Sequence, residues 1–168
     1  MNRIYKYCPF CAKKLTKNIN GYKACSCGFI DYQNARPTAT ALILNGKNEL
    51  LLGKRSIEPF KDMWGVIGGF LNRNEDPISG AIREAKEETG LDIKIKDFIC
   101  IITGQYQDPK LGFYYTFNVY YSAKVKGGKI KAADDVKEVK YFPINKLPKI
   151  AFINDQKAIK IFIKSLQK

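Results

Sequence analysis

The sequence predicts an α/β fold preceded by a small metal-stapled appendage, on three observations. β-rich runs at Thr38–Leu44, Glu49–Lys54 and Phe113–Val125 are separated by turn signals and by a well-marked helix at about Pro77–Thr89. A further helix signal closes the chain. Four of the five cysteines fall in residues 1–34, in two close pairs, and so short a stretch builds little core without a staple. With 168 residues, 45% of them hydrophobic, the chain is long enough for one well-buried domain plus such an appendage.

The cysteines read Cys8-Pro9-Phe10-Cys11 and Cys25-Ser26-Cys27-Gly28. Two pairs at the tips of two turns can gather Cys8, Cys11, Cys25 and Cys27 around a tetrahedral Zn²⁺. The N-terminus lacks a signal-peptide core and no apolar run reaches membrane-helix length, so a cytoplasmic protein without membrane partners is expected, where disulfides are disfavoured. With all four positions filled by sulfur, the zinc is expected to be structural. Asn34 to Pro37 then reads as a connector into the second unit, residues 35–168.

Thr38–Leu44 and Glu49–Lys54 flank the turn Asn45-Gly46-Lys47-Asn48, a hairpin signal. The polar stretch Arg55–Met63, with Pro59, reads as a loop, and Trp64–Phe70 leads into the helix. Gly68 and Gly69 permit close backbone approach, a useful property beside phosphates. In the helix, Asp76 suits the cap, Pro77 the first turn and Gly90 the stop. Ile78, Ala81, Ile82 and Ala85 then form the expected core face. Glu84, Glu87 and Glu88 share another arc, and Gly80, one turn earlier, is expected to leave it uncovered. Beyond the helix the pattern gives a strand at Leu91–Thr103, a loop at Gly104–Gly112, the long strand at Phe113–Val125, a turn at Gly127-Gly128 and the acidic run within Ala132–Pro143. Asn154 or Asp155 is expected to cap the last helix, whose face is Ile159, Phe162, Ile163 and Leu166.

Glu84 and Glu88 are like charges four apart, and Glu87 and Glu88 lie at the negative end of the helix dipole, an unfavourable arrangement unless solvated or neutralised. Three helical glutamates alone are compatible with a wet acidic stripe. A divalent cation with a taste for hard oxygen ligands, Mg²⁺ or Mn²⁺, reverses the repulsion.

The wider pattern is more specific. Gly69, Glu75, Arg83, Glu84, Glu87, Glu88 and Gly90 stand as Gly-x5-Glu-x7-Arg-Glu-x-x-Glu-Glu-x-Gly, with Ala85 and Leu91 at the two aliphatic positions. This stretch resembles the signature box of the Nudix hydrolases at every specified position. The resemblance implies an α/β/α sandwich with a mixed sheet and hydrolysis of a nucleoside diphosphate linked to another group. It implies Glu84 and Glu88 as principal Mg²⁺ or Mn²⁺ ligands, Glu87 as a third ligand or a base, and Glu75 with Arg83 as an orienting pair. Glu138, in the acidic run, is the candidate base outside the box. The cysteine segment resembles the zinc ribbon of a subset of the family that includes NADH pyrophosphatases, although Cys-x-Cys replaces the usual second Cys-x-x-Cys. Those pyrophosphatases carry Ser-Gln-Pro-Trp after the box, where this chain has Thr103-Gly104-Gln105-Tyr106. Pro109 stands eighteen positions beyond Leu91, near the place of a proline in ADP-ribose-cleaving relatives. The expected substrate is thus ADP-ribose or a related nucleotide sugar. NADH, dinucleotide polyphosphates and RNA 5′ ends are alternatives, and a noncatalytic nucleotide- or RNA-binding module is a further one.

The formal charge is +13; the box holds five acids against Arg73, Arg83 and Lys86, so an acidic centre is set in a basic surround of about +15. Such a field attracts polyphosphates and contacts RNA nonspecifically, though a lysine-rich surface also serves solubility alone. A homodimer is left open as a further partner. There is no histidine, which removes that residue as ligand, base or pH switch.

Overall fold

The computed structural model describes residues 5–18, 20–109 and 112–167. It begins with a small antiparallel sheet of two-residue strands, β1 (Thr16–Lys17), β2 (Lys23–Ala24) and β3 (Ile30–Asp31). Strand β4 (Arg36–Ile43) follows, and its residues from Thr38 onward are buried. A strand buried without alternation is covered on both faces. On one face Ala39, Ala41 and Ile43 pack with Ala81 and Ala85 of helix α1 (Pro77–Thr89). On the other, Leu42 joins Leu50 and Leu52 of β5 (Glu49–Arg55) and Ile159 and Phe162 of helix α2 (Ile153–Ser165). Helices on opposite sides of the strands make the expected α/β/α sandwich.

The remaining strands are β6 (Trp64–Gly65), β7 (Ile67–Phe70), β8 (Leu91–Asp108), β9 (Gly112–Gly128) and β10 (Val136–Pro143). One sheet runs β7-β4-β9-β8, and a second runs β10-β5-β6. The pairing of β4 with β9 is parallel and the other ladders are antiparallel, so the sheet is mixed. Strand β7 leads straight into the loop before α1, and that helix packs on the face of the sheet against β4.

Several expectations change. Residues 104–108 are not a loop: β8 runs through Gln105, Tyr106 and Gln107 to Asp108 and pairs with β9 from Gly112 onward. Polar residues stay in strand here because one face of this long hairpin is open to water. Gly127 and Gly128 likewise belong to the ladder, opposite Asp92 and Leu91. The outer face carries Ile101, Thr103, Gln105 and Gln107 and, across from the last three, Phe117, Tyr115 and Phe113, with no charged residue among them. Ile101 and Tyr115 are each 47% exposed there.

Helix α1 has the expected ends, with the Asp76 carboxylate accepting from the Ile78 and Ser79 amides and Gly90 in the left-handed conformation. Its buried face is rotated from the expected one. Ile78 and Ile82 remain exposed, whereas Gly80, Glu84 and Glu88 are buried beside Ala81 and Ala85. The glutamate arc is the covered one because β7 presents only glycines to it. Gly80 does not open the arc either: a Cβ on it would lie 2.2 Å from Leu71 Cδ2. In α2 the cap position is Phe152, without a side-chain cap, because the Asp155 carboxylate is committed to the Tyr120 hydroxyl. Leu166 is exposed rather than part of the core face.

Gly68 joins β7 to β4 at a distance no side chain allows. Its φ is +150°, and a Cβ would stand 2.3 Å from the Ala39 carbonyl oxygen. The substitution Gly68→Ala is expected to cost roughly 2–4 kcal/mol through backbone strain and overpacking. A drop of about 5–15 °C in a thermal melt checks this; an unchanged melt contradicts it.

Candidate active site

The loop–helix joining β7 to α1 is tied by one side chain. Arg83 forks onto Glu75, with Nε donating to Oε1 at 2.7 Å and Nη2 to Oε2 at 2.9 Å. Its Nη1 donates to Glu84 Oε1 at 2.8 Å and to Glu87 Oε2 at 2.7 Å, and Nη2 also reaches the Phe70 carbonyl at 3.0 Å. Planar bidentate pairing of this kind fixes orientation as well as charge. Hydrogen bonding from Arg83 lowers Glu75 to about 2, while Arg83 itself is raised by its carboxylate partners.

Glu84 and Glu88 point inward and are only 8% and 7% exposed. Close approach of Gly69 makes this possible, since a Cβ there would sit 2.6 Å from the Glu84 carboxyl carbon. Glu88 Oε2 accepts from the Gly68 amide at 3.0 Å. Burial raises both acids, Glu88 to about 8, with the nearby Glu84 and Asp135 adding to the shift and the Gly68 amide and Arg55 opposing it. Buried carboxylates that resist ionisation gain most from a divalent cation, and hard oxygen donors are what Mg²⁺ and Mn²⁺ accept. The donor set therefore fits the cation expected from the sequence. Glu87 is more exposed, at the rim, with one oxygen held by Arg83.

These groups line a cleft of about 310 Å³. Gly68 and Gly69 line it as well. Facing the glutamates are Asp134 and Asp135, from the turn before β10, and Arg55 at the end of β5. Arg55 Nε donates to the Pro59 carbonyl at 2.7 Å, and its Nη2 is buried without a hydrogen-bond partner among the described residues. At the far end stand Tyr106, Phe152, Asn154 and Asp155. Asp155 is raised by burial to about 7 and accepts from Tyr120 at 2.9 Å.

Two expected residues lie elsewhere. Glu138 is exposed on β10, 3.7 Å from Lys54, and does not line the cleft. The acids of this run that line the cleft are Asp134 and Asp135, which lie in the turn before β10. Pro109 is exposed at the tip of the β8–β9 hairpin and is absent from the cleft wall. Arg55, Asp134, Asp135, Tyr106, Phe152 and Asp155 were not singled out as site residues from the sequence. The one sequence signal for any of them was the acidic Asp134-Asp135 pair, which pointed at Glu138 instead.

Away from the cleft, the sulfurs of Cys8 and Cys27 are 3.5 Å apart and those of Cys11 and Cys25 are 3.4 Å apart. All four lie within 4.8 Å of one another, and all are free thiols. A tetrahedral sulfur site built on Zn–S bonds of about 2.3 Å needs this spacing, whereas a disulfide needs about 2.05 Å. The group fits a structural zinc despite the shorter Cys-x-Cys pair.

Comparison with known proteins agrees with this geometry. The family model described as NUDIX domain matches residues 34–162. An ADP-ribose pyrophosphatase of Methanocaldococcus jannaschii is 36% identical over 122 residues, covering 73% of this chain and 70% of that one. A crystal structure of a NUDIX hydrolase from Nitrosomonas europaea superposes with a TM-score of 0.79 at 24% identity, covering 97% of this chain and 93% of that one. The NUDIX domain of Shewanella oneidensis NrtR, solved as a complex with ADP ribose, superposes at 0.62 with 21% identity, covering 79% and 89%. A signature stretch gathered at one cleft, in a fold shared with these proteins over most of its length, identifies the chain as a member of the NUDIX domain family.

Proposed function

We propose that the protein hydrolyses the diphosphate of ADP-ribose or a related nucleotide sugar, releasing two phosphate-bearing halves. The observation that carries the reading is the pairing of two buried glutamates with a buried, unpartnered Arg55 Nη2 across one cleft. A diphosphate satisfies both walls, offering oxygens to a cation held by the glutamates and to the free guanidinium N–H. The 36% identical relative, an ADP-ribose pyrophosphatase, supports the choice of substrate.

Glu84 and Glu88, with Glu87 at the rim, would hold Mg²⁺ or Mn²⁺, which neutralises phosphate charge and acidifies water when bound. Arg83 keeps Glu84 and Glu87 oriented. Asp135, raised by burial and lining the facing wall, is proposed in place of Glu138 as the outside-box acceptor for a water proton. Residues 1–34 are proposed to form a zinc ribbon, held by Cys8, Cys11, Cys25 and Cys27 and followed by the hydrolase unit at 35–168. Elemental analysis of protein purified without chelator is expected to give one zinc per chain; substoichiometric zinc rejects the ribbon.

The substrate is tested by comparing ADP-ribose and NADH at equal Mg²⁺ or Mn²⁺. ADP-ribose is expected to show the higher kcat/KM, and an NADH preference overturns that assignment. For the glutamates, Glu88→Gln keeps volume and the Gly68 contact but removes the charge a hard cation requires. Its kcat is expected to fall by at least about a hundredfold. Its stability should move the other way. Raised to about 8, Glu88 in the metal-free native state keeps a proton that the unfolded chain releases near its ordinary 4.5. Metal-free wild type therefore loses stability as pH rises from about 4.5 towards 8. Glu88→Gln lacks this loss, so without metal it should melt higher than wild type at pH 8, with the gap closing at pH 4.5. Equal pH dependence of the two melts removes Glu88 from the buried site.

A further inference from the structure

One end of the cleft is walled by a ladder of stacked rings. Tyr106 lies between Tyr114 and Phe152, with centroids 5.5 and 5.9 Å away and interplanar angles of 25° and 23°. Arg36 sits over Tyr114 at 4.0 Å, and Arg55 over Phe152 at 5.1 Å. The two joints of the ladder differ in kind. Tyr106 and Tyr114 are cross-strand partners, so the β8–β9 hairpin holds them together. Phe152 comes from a different element, the uncapped start of α2. The Tyr106–Phe152 joint is therefore the one that side-chain motion can open.

Two polar groups wait beside it. Asn154 presses its amide so closely on the hairpin that a Cβ at Gly104 would fall 1.6 Å from Nδ2. That amide makes no hydrogen bond among the described residues. Arg55, stacked on Phe152, lines the same cleft as Glu88 and keeps its Nη2 buried and without a hydrogen-bond partner among the described residues. A flat base slid between two rings needs their planes about 7 Å apart, twice the ordinary carbon contact distance, which asks for an adjustment on the scale of a side-chain rotation.

We propose that the Tyr106–Phe152 joint is an adenine slot: the base stacks between the two rings, Asn154 pairs with its N6 and N7 edge, and the attached phosphate meets Arg55. A side-chain amide offers one donor and one acceptor at the spacing adenine presents on that edge, and guanine, with O6 in place of the amino group, mismatches it. This deepens the hydrolase reading by assigning the nucleoside half of the substrate to the aromatic end and the diphosphate to the acidic end.

Calorimetric titration of the full chain with AMP, GMP and ribose 5-phosphate tests the slot without relying on turnover. Wild type should bind AMP at least about tenfold more tightly than either of the other two. Phe152→Leu should erase the advantage of AMP over ribose 5-phosphate, Phe152→Tyr should keep it, and Asn154→Ala should erase the preference over GMP while AMP still outbinds ribose 5-phosphate. Equal binding of AMP and ribose 5-phosphate by wild type overturns the slot, as does an unchanged AMP preference in a folded Phe152→Leu. Should Phe152→Leu fail to fold, the Asn154→Ala comparison decides alone, and undiminished AMP-over-GMP selectivity there rejects the assignment. Ladder-dependent AMP binding without ADP-ribose cleavage would keep the slot and reject the hydrolase reading. Cleavage whose KM is unmoved by Phe152→Leu would do the reverse.

Discussion

Five of the hydrogen bonds that shape the acidic wall of the cleft share one donor group, the Arg83 guanidinium. Three carboxylates on neighbouring helical turns repel one another, and covering Glu84 and Glu88 with β7 removes the water that would screen those two. Arg83 answers for Glu75, Glu84 and Glu87 together, and by holding the Phe70 carbonyl it fixes the strand that does the covering. Glu88 lies beyond its reach and has the Gly68 amide instead. Burial raises both inward-facing acids, and of the two Glu88 is the one without the guanidinium that partners Glu84.

The two ends of the cleft handle charge differently. At one, buried oxygens gather. At the other, three rings are bracketed by Arg36 and Arg55, each of which places its guanidinium over a π face. Arg55 belongs to both ends: it stacks on Phe152 and opposes the upward shifts of Glu88, Asp135 and Asp155. An elongated ligand with a flat uncharged end and an anionic middle suits this polarity. Burial keeps these interactions strong, since an effective dielectric below that of water raises each of them.

What could be read in the sequence was what is local. The ends of α1, its cap at Asp76 and stop at Gly90, and the box spacing all depend on neighbours within a few turns. The face that α1 buries was misread because hydrophobic periodicity favours Ile78 and Ile82, whereas the glycines of β7 let the sheet come closest to Glu84 and Glu88. Asp134 and Asp135 reach the cleft from the turn before β10, and where that turn sits depends on the pairing of β10 with β5, which no local pattern encodes. Tyr106 and Phe152 are 46 positions apart and meet only once the hairpin has formed and α2 has docked. The thiol cluster was legible because its two pairs are close and sulfur admits few alternative roles.

The outer face of the β8–β9 hairpin bears on how the protein behaves in concentrated solution. That strip is uncharged and mixes exposed apolar rings with Thr103, Gln105 and Gln107, and β8 is the last strand of its sheet, so one backbone edge has no strand partner among the described residues. Nothing on the strip itself repels a second molecule. The formal charge of +13 does so at a distance, over roughly 10 Å at 0.1 M salt but only about 3 Å at 1 M. Colloidal stability is thereby delegated from the vulnerable surface to the rest of the molecule, and it becomes a property of the ionic medium. Salt, which leaves the buried cleft largely unscreened, removes the one barrier between two such edges.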